Sequence, residues 1–189
     1  MEEAAMQSDD ILYSQFLDGN TSAYDELMIR HGDSLTFYLY GYLHNWHDAE
    51  DLTIEAFARI MVKRPRIRNG GFKAYLYKTA RNLASRFHSR ESRIESFSLE
   101  GAERELADSL TPEDHLQQEE KKQILHLCLE RIDPELKEAL WLVYFEGLSY
   151  TDAAAVMGVS KKRVDKLLQR GKTILRTELM KEGITHAHE

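Results

Sequence analysis

Residues 150–170 read YTDAAAVMGVSKKRVDKLLQR. The residue types follow the order that two crossing helices require. Ala154 is small, which lets two helices approach closely. Gly158 comes four residues later, where a positive φ costs glycine little and a first helix can end. Val159 beside it is apolar, and Ser160 can cap a second helix. Val164, Leu167 and Leu168 supply the inward stripe of that helix. Lys161, Lys162, Arg163 and Lys166 lie outward and early in it, where a helix in a major groove meets base edges and phosphates. The run predicts a helix-turn-helix. An ordinary helical hairpin is the alternative; the spacing of small residue, glycine, cap and stripe, together with the cations, favours DNA.

Working outward, charge is segregated along the chain. The 189 residues hold 25 Lys plus Arg and 32 Asp plus Glu, a formal net charge of −7. That sum conceals two basic blocks. Residues 59–93 carry 11 basic residues and 1 acidic, and residues 160–182 carry 8 and 3. The flanking stretches are acidic, with net −11 over residues 1–58 and −8 over 94–120. One basic block could be a solvated helix face. Two blocks point to a polyanion, most simply nucleic acid, contacted at two places. The acidic stretches would discourage non-specific binding by like-charge repulsion.

Composition excludes other classes. With 42% hydrophobic and 30% charged residues the chain is too apolar for wholesale disorder. Its length suits one domain or two small ones. A single cysteine, Cys128, leaves no intramolecular disulfide and suits a reducing cytoplasm. It lies in an apolar helical stripe and reads as core. No run of about 18 apolar residues is present, so no membrane insertion is expected. The start, MEEAAMQSDD, lacks the basic and apolar stretches of a secretion leader, and the expected location is cytoplasmic. No phosphate-binding glycine loop, dinucleotide glycine pattern or Gly-x-Ser-x-Gly run occurs. Neither catalytic residues, cofactor, metal nor small-molecule substrate is expected. The alternative of a metal-dependent enzyme would use His44, His47, Asp48 and Asp51, types with plausible ligand spacing. Residues 44–48 read instead as a loop, where histidines are often solvated.

The periodicity is helical throughout, and no strand signal competes. Helices are expected over residues 10–17, 22–31 (capped by Thr21 or Ser22), 34–43, 48–63 and 72–90. In the fourth, the acids from Asp48 to Asp51 fall in the first turn, and Pro65 follows its end. In the fifth, Phe72, Leu76, Ala80, Leu83 and Phe87 form the buried stripe, and Lys73, Tyr77, Arg81, Ser85 and His88 the other face. Asn69, Gly70 and Gly71 provide turn chemistry between these two helices. Residues 92–114 are acidic and weakly periodic, and read as a flexible linker. Helices resume beyond it, and Pro134 suits a first helical position. The expected fold is all-α, two small helical domains on a flexible acidic linker. The divisions are 1–91, 92–114 and 115–183, with a disordered tail over 184–189.

Four ordered runs carry a resemblance. They are YDELMIRHGDSLTFYLYGYL at 24–43, DAEDLTIEAF at 48–57, FKAYLYKTARNLASRF at 72–87 and EGLSYTDAAAVMGVS at 146–160. In this order the chain resembles bacterial RNA polymerase sigma factors of the extracytoplasmic-function group. The resemblance implies a region-two domain, a linker and a region-four helix-turn-helix. It implies binding to core RNA polymerase, direction to promoter DNA, help in melting the minus-ten element, and an anti-sigma partner. By the match, Asp48, Glu50, Asp51 and Glu55 lie at the polymerase-binding surface, with Phe57 turned to the core; the acids also suit simple helix capping. Arg68, Asn69 and Gly70 occupy the loop that captures a flipped base, or form a solvated turn. Lys73, Tyr77, Lys78, Arg81 and Arg86 would meet phosphates or stack on bases of the opened strand. Ser160, Lys161, Lys162, Arg163, Asp165, Lys166 and Arg170 would face the minus-35 element. Family recognition helices often carry a basic residue where Asp165 and Leu167 stand here. Asp165 could accept from a cytosine amino group or pair with a neighbouring lysine. A helix-turn-helix regulator that never engages polymerase is the alternative; it would not need the DAED helix beside a basic single-strand reader.

Overall fold

In a computed structural model, residues 7–68, 70–95, 125, 128–129 and 131–183 are described, with the side chains of 88–95 left aside. Asn69, most of the expected linker and the tail at 184–189 lie outside the described residues. The chain forms two compact units, one up to Arg104 and one from Glu105. Every regular element described is helical.

The first unit is built from α1 (Asp9–Leu17), α2 (Thr21–Leu43), α3 (Trp46–Lys63) and α4 (Phe72–Glu95). Two helices expected over 22–31 and 34–43 are one, α2. The buried residues Leu27, His31, Leu35 and Leu39 recur every four positions straight through Gly32. Burying that stripe outweighs the roughly 1 kcal/mol that glycine costs a helix. Neither Thr21 nor Ser22 is the cap. Asn20 holds that place, and its side chain makes no capping bond. At the other end His44 takes a left-handed φ of 52° and donates its N–H to Tyr40 O at 2.9 Å. Asn45 then caps α3, its Oδ1 accepting from the amides of His47 at 3.0 Å and Asp48 at 3.3 Å. His47 and Asp48 therefore lie in the helix, not in a loop, and of the expected acids only Asp48 sits in the first turn. Arg64, with φ 44°, closes α3 before Pro65. The helix α4 runs to Glu95, past the expected domain edge at residue 91.

The core of this unit is aromatic. Phe16, Tyr24, Phe57, Phe72 and Tyr77 are essentially inaccessible, and full burial of such side chains stabilises by about 1.5–3 kcal/mol each. Phe16 and Tyr24 ring centroids are 4.4 Å apart, and Tyr24 donates its hydroxyl to Phe57 O at 2.6 Å. The buried hydroxyls of Thr36 and Thr53 satisfy each other at 2.9 Å.

The second unit contains α5 (Pro134–Leu140), a π-helical turn at Trp141–Phe145, α6 (Tyr150–Met157) and α7 (Lys161–Lys181). Asp133 caps α5 through Glu135 N at 3.0 Å, with Pro134 at the first position, as expected. Glu146 N donates to Trp141 O at 3.0 Å, the wider bond that defines the π turn. Ser149 and Ser160 cap α6 and α7, and Gly158 ends α6 at φ 70°. Val164, Leu167 and Leu168 are buried, with Cys128 in the same core. Gly171 lets α7 pack closely on Leu140 of α5. A Cβ there would stand 3.1 Å from Leu140 Cγ and Cδ1.

Candidate nucleic-acid interface

The helix pair at 150–181 matches its expected pattern, and α7 starts at Lys161. Ser160 Oγ accepts the Arg163 N–H at 3.2 Å, so this hydroxyl serves the helix end. Lys161, Lys162, Lys166 and Arg170 are exposed and form no ion pair among the described residues. Asp165 is half-buried and accepts from Gln169 Nε2 at 3.3 Å, so neither lysine neighbour holds it. Arg163 differs from its cationic neighbours. Its Nη2 and Nε meet Glu135 Oε2 at 2.6 Å and Oε1 at 3.2 Å. The hydrogen bond to Glu135 raises the Arg163 pKa, aided by the Glu135 and Asp133 charges.

A second basic site lies in the first unit. Arg59, Ile60, Lys63, Tyr75, Thr79, Asn82 and Arg86 line a cleft of about 170 Å³ between α3 and α4. Residues 75, 79, 82 and 86 are spaced i, i+4, i+7, i+11, which places them on one helix face. The cations come from both walls. Arg59 pairs with Glu55 on its own helix at 2.6 Å, while Thr79 donates its hydroxyl to Tyr75 O at 2.8 Å.

Of the residues expected to meet the opened strand, only Arg86 lines this cleft. Tyr77 cannot stack on a base here. It is fully buried, its ring 5.0 Å from that of Tyr38 and meeting it edge-on. Lys73 and Arg81 share its helical row and are half-buried, whereas Lys78 and Arg86 are exposed. The sequence reading placed Tyr77 outside because it followed charge rather than tertiary packing. It passed over Arg59, Lys63, Tyr75, Thr79 and Asn82. The 75/79/82/86 spacing was the available signal, but nothing local shows that α3 forms the opposite wall.

The loop between α3 and α4 is held from α1. Tyr13 donates its hydroxyl to Pro65 O at 2.7 Å, and burial pushes its pKa up to about 12. Gly70 N donates to Asp10 Oδ2 at 2.5 Å, with Gly70 at φ 73°. Gly71 is required, because a Cβ there would lie 2.8 Å from Arg68 O. Arg68 and Gly70 are exposed beside this brace. The brace is itself anchored: Asp9 Oδ1 and Oδ2 meet Arg30 Nη1 and His31 Nε2, each at 2.8 Å. Burial alone would raise the Asp9 pKa, but the His31 and Arg30 hydrogen bonds and charges outweigh it and hold the carboxyl below its usual range.

The outer side of α3 is different again. Glu50 and Asp51 are exposed, Asp48 and Glu55 half-exposed, and Phe57 is core. Ile54 is 61% exposed among these acids. Trp46 donates its indole N–H to Glu50 Oε1 at 2.8 Å, and packs against Phe37 and Tyr40 at 5.0 and 5.7 Å. An exposed isoleucine on an acidic helix surface suits a protein partner rather than a polyanion. No three His, Cys, Asp or Glu residues gather to hold a metal ion among the described residues. Nor is any described helix long and apolar enough to cross a membrane.

Comparison with known proteins covers the residues of both basic sites. The family model for Sigma-70 region 2 matches residues 27–94, and that for Sigma-70, region 4 matches 122–175. The chain is 32% identical over 162 residues to the ECF RNA polymerase sigma factor SigE of Mycolicibacterium smegmatis, across 85% of this chain and 63% of that protein. It is 30% identical to the ECF RNA polymerase sigma factor BldN of Streptomyces coelicolor, across 80% of this chain and 58% of that protein. The chain thus spans about six tenths of the length of these relatives. The fold is similar to that of the sigma factor RpoE of Bartonella quintana, solved with the anti-sigma factor NepR. The TM-score is 0.65 at 20% identity, over 83% of this chain and 96% of that one. The cleft between α3 and α4 falls within region 2 and the helix-turn-helix within region 4, and the chain belongs to the sigma-70 family.

Proposed function

We propose that this protein is an extracytoplasmic-function sigma factor that binds core RNA polymerase, directs it to promoters and assists melting of the minus-ten region. The observation that carries the reading is the pairing of two separate basic sites. One is a cleft lined by Arg59, Lys63 and Arg86 and the other an exposed cationic helix, α7. Exposed cations on α7 fit duplex phosphates and base edges. The α3–α4 cleft offers cations for a backbone, and Tyr75 and Asn82 for a base.

In this reading Lys161, Lys162, Lys166 and Arg170 contact the minus-35 duplex, with Ser160 and Asp165 beside them. Arg68, Asn69 and Gly70 sit at the flipped base. Lys73, Lys78, Arg81 and Arg86 accompany the opened strand, joined by Tyr75, Thr79 and Asn82. Asp48, Glu50, Asp51 and Glu55, with Ile54, form the polymerase-docking surface. The protein acts in the cytoplasm, without a cofactor and without catalysing a reaction itself. An anti-sigma factor is its regulatory partner; the Bartonella quintana sigma factor is solved in complex with one, NepR.

Run-off transcription with purified bacterial core polymerase and a pool of host promoter fragments tests this. Initiation that requires the protein is the expected result. Neither transcription nor capture of core would leave a plain DNA-binding regulator.

A further inference from the structure

Arg163 stands third in the recognition helix, among the exposed cations Lys161, Lys162 and Lys166. By sequence it is one more phosphate contact. In the structure its guanidinium is spent on Glu135, in the first turn of α5 and 28 residues earlier. The pair is two-pronged, at 2.6 and 3.2 Å, and this fork geometry is the strongest that a guanidinium makes with a carboxylate. Asp133 adds its charge to the same side. Asp133 also accepts the amide of Glu135, which fixes the start of α5 where the fork is made. Both partners are part-exposed, at 53% and 39%, so the pair is open to competition from an arriving phosphate.

We infer that Glu135 restrains the DNA affinity of the second unit by withholding Arg163 from the phosphate backbone. The inference rests on the reading of this unit as a duplex reader. A phosphate that took Arg163 would have to break the fork and approach the freed Glu135 carboxylate. One potential phosphate contact is thus cancelled within the protein, and a cation-rich helix start binds DNA less tightly than its charge count suggests. Glu135 is a positioning residue in this scheme and touches no base.

The test uses holoenzyme reconstituted from the full chain and core polymerase, on a promoter fragment recovered from the run-off pool. Equilibrium binding is measured between about 0.05 and 0.3 M potassium chloride for wild type, Glu135→Gln, Arg163→Gln and the double variant. One freed phosphate contact steepens the slope of log K against log salt by about 0.9 and tightens binding about fivefold near 0.15 M salt. Glu135→Gln is expected to show both changes, Arg163→Gln alone a slope within a few tenths of wild type with slightly weaker binding from the unpaired Glu135 carboxylate, and the double variant a return to wild type. The inference is overturned if Arg163→Gln alone flattens the slope by about one unit, since Arg163 then already contacts phosphate. It is equally overturned if the tightening by Glu135→Gln survives in the double variant, because removal of a surface charge then explains it. A Glu135→Gln protein that binds with unchanged slope also counts against it, while thermal unfolding at the wild-type midpoint excludes misfolding as the cause. Absence of any promoter binding by the wild type is a different result, and removes the duplex-reader reading itself.

Discussion

The Asp10 carboxylate accepts the backbone N–H of Gly70 at 2.5 Å across 60 residues of sequence. It ties the first helix to the loop that precedes α4, and Tyr13 to Pro65 O makes a second tie from the same helix. The first helix thereby acts as a brace for the loop. Asp10→Ala should loosen it. Losing one such bond is worth about 0.5–1.5 kcal/mol, or roughly two- to tenfold in binding a minus-ten non-template oligonucleotide to holoenzyme. Binding to a minus-35 duplex should not change. Equal losses on both probes would show that Asp10 serves general stability instead.

The Asp9 network carries a pH dependence. Its carboxyl is held below the usual range in the folded state by His31 and Arg30, against the opposing effect of burial. The resulting stability is complete above the unfolded carboxylate pKa of about 4 and is lost as pH falls through the lower folded value. Asp9→Asn should cost about 1–2 kcal/mol at pH 7 and less near pH 3, because charge-assisted bonds are removed. Thermal unfolding from pH 7 to pH 3 checks this. Parallel curves for both proteins would rule the mechanism out.

The cleft predicts a contrast along α4. Asn82→Ala and Arg86→Ala lie on the cleft wall and should each weaken single-strand binding, by about three- to tenfold for a lost polar or phosphate contact. Tyr77→Leu, in the core, should instead lower the unfolding midpoint, with about 1–3 kcal/mol lost from packing. A Tyr77→Leu protein of wild-type stability that no longer binds single strands would restore the base-stacking role that burial argues against.

The recognition helix predicts a salt effect. Lys161→Ala with Lys162→Ala should flatten the promoter salt slope by up to about two units, one per lost phosphate contact. Core polymerase binding should be intact, because the proposed docking surface on α3 belongs to the other unit. Promoter affinity of the wild type that ignores salt would contradict a phosphate-contacting helix altogether.

Much of this architecture is legible because it is local. Ser160 capping α7, Gly158 ending α6 and Pro134 opening α5 behind Asp133 each involve residues within a turn of one another. Their backbone chemistry is written in neighbouring letters. The same holds for Asn45, whose cap on α3 is equally local although the stretch at 44–48 reads as a loop. Gly32 misled in the opposite sense. A glycine signals a helix end only where no buried stripe continues past it, and Leu35 and Leu39 continue it.

The sequence by itself determined that the chain is helical, that two basic blocks are separated by acidic ones, and that residues 150–170 form a helix-turn-helix. Helix periods, caps and charge counts are short-range properties, so they can be read from neighbouring residues. Tertiary structure alone decided that Tyr77 points inward against Tyr38 and that Asn82 and Arg86 face a wall supplied by Arg59 and Lys63. It also decided that Glu135 claims Arg163 and that Asp10 braces Gly70. Each of these joins residues on different helices. Which face of a helix is buried, and which cation is already paired, depends on what packs opposite it.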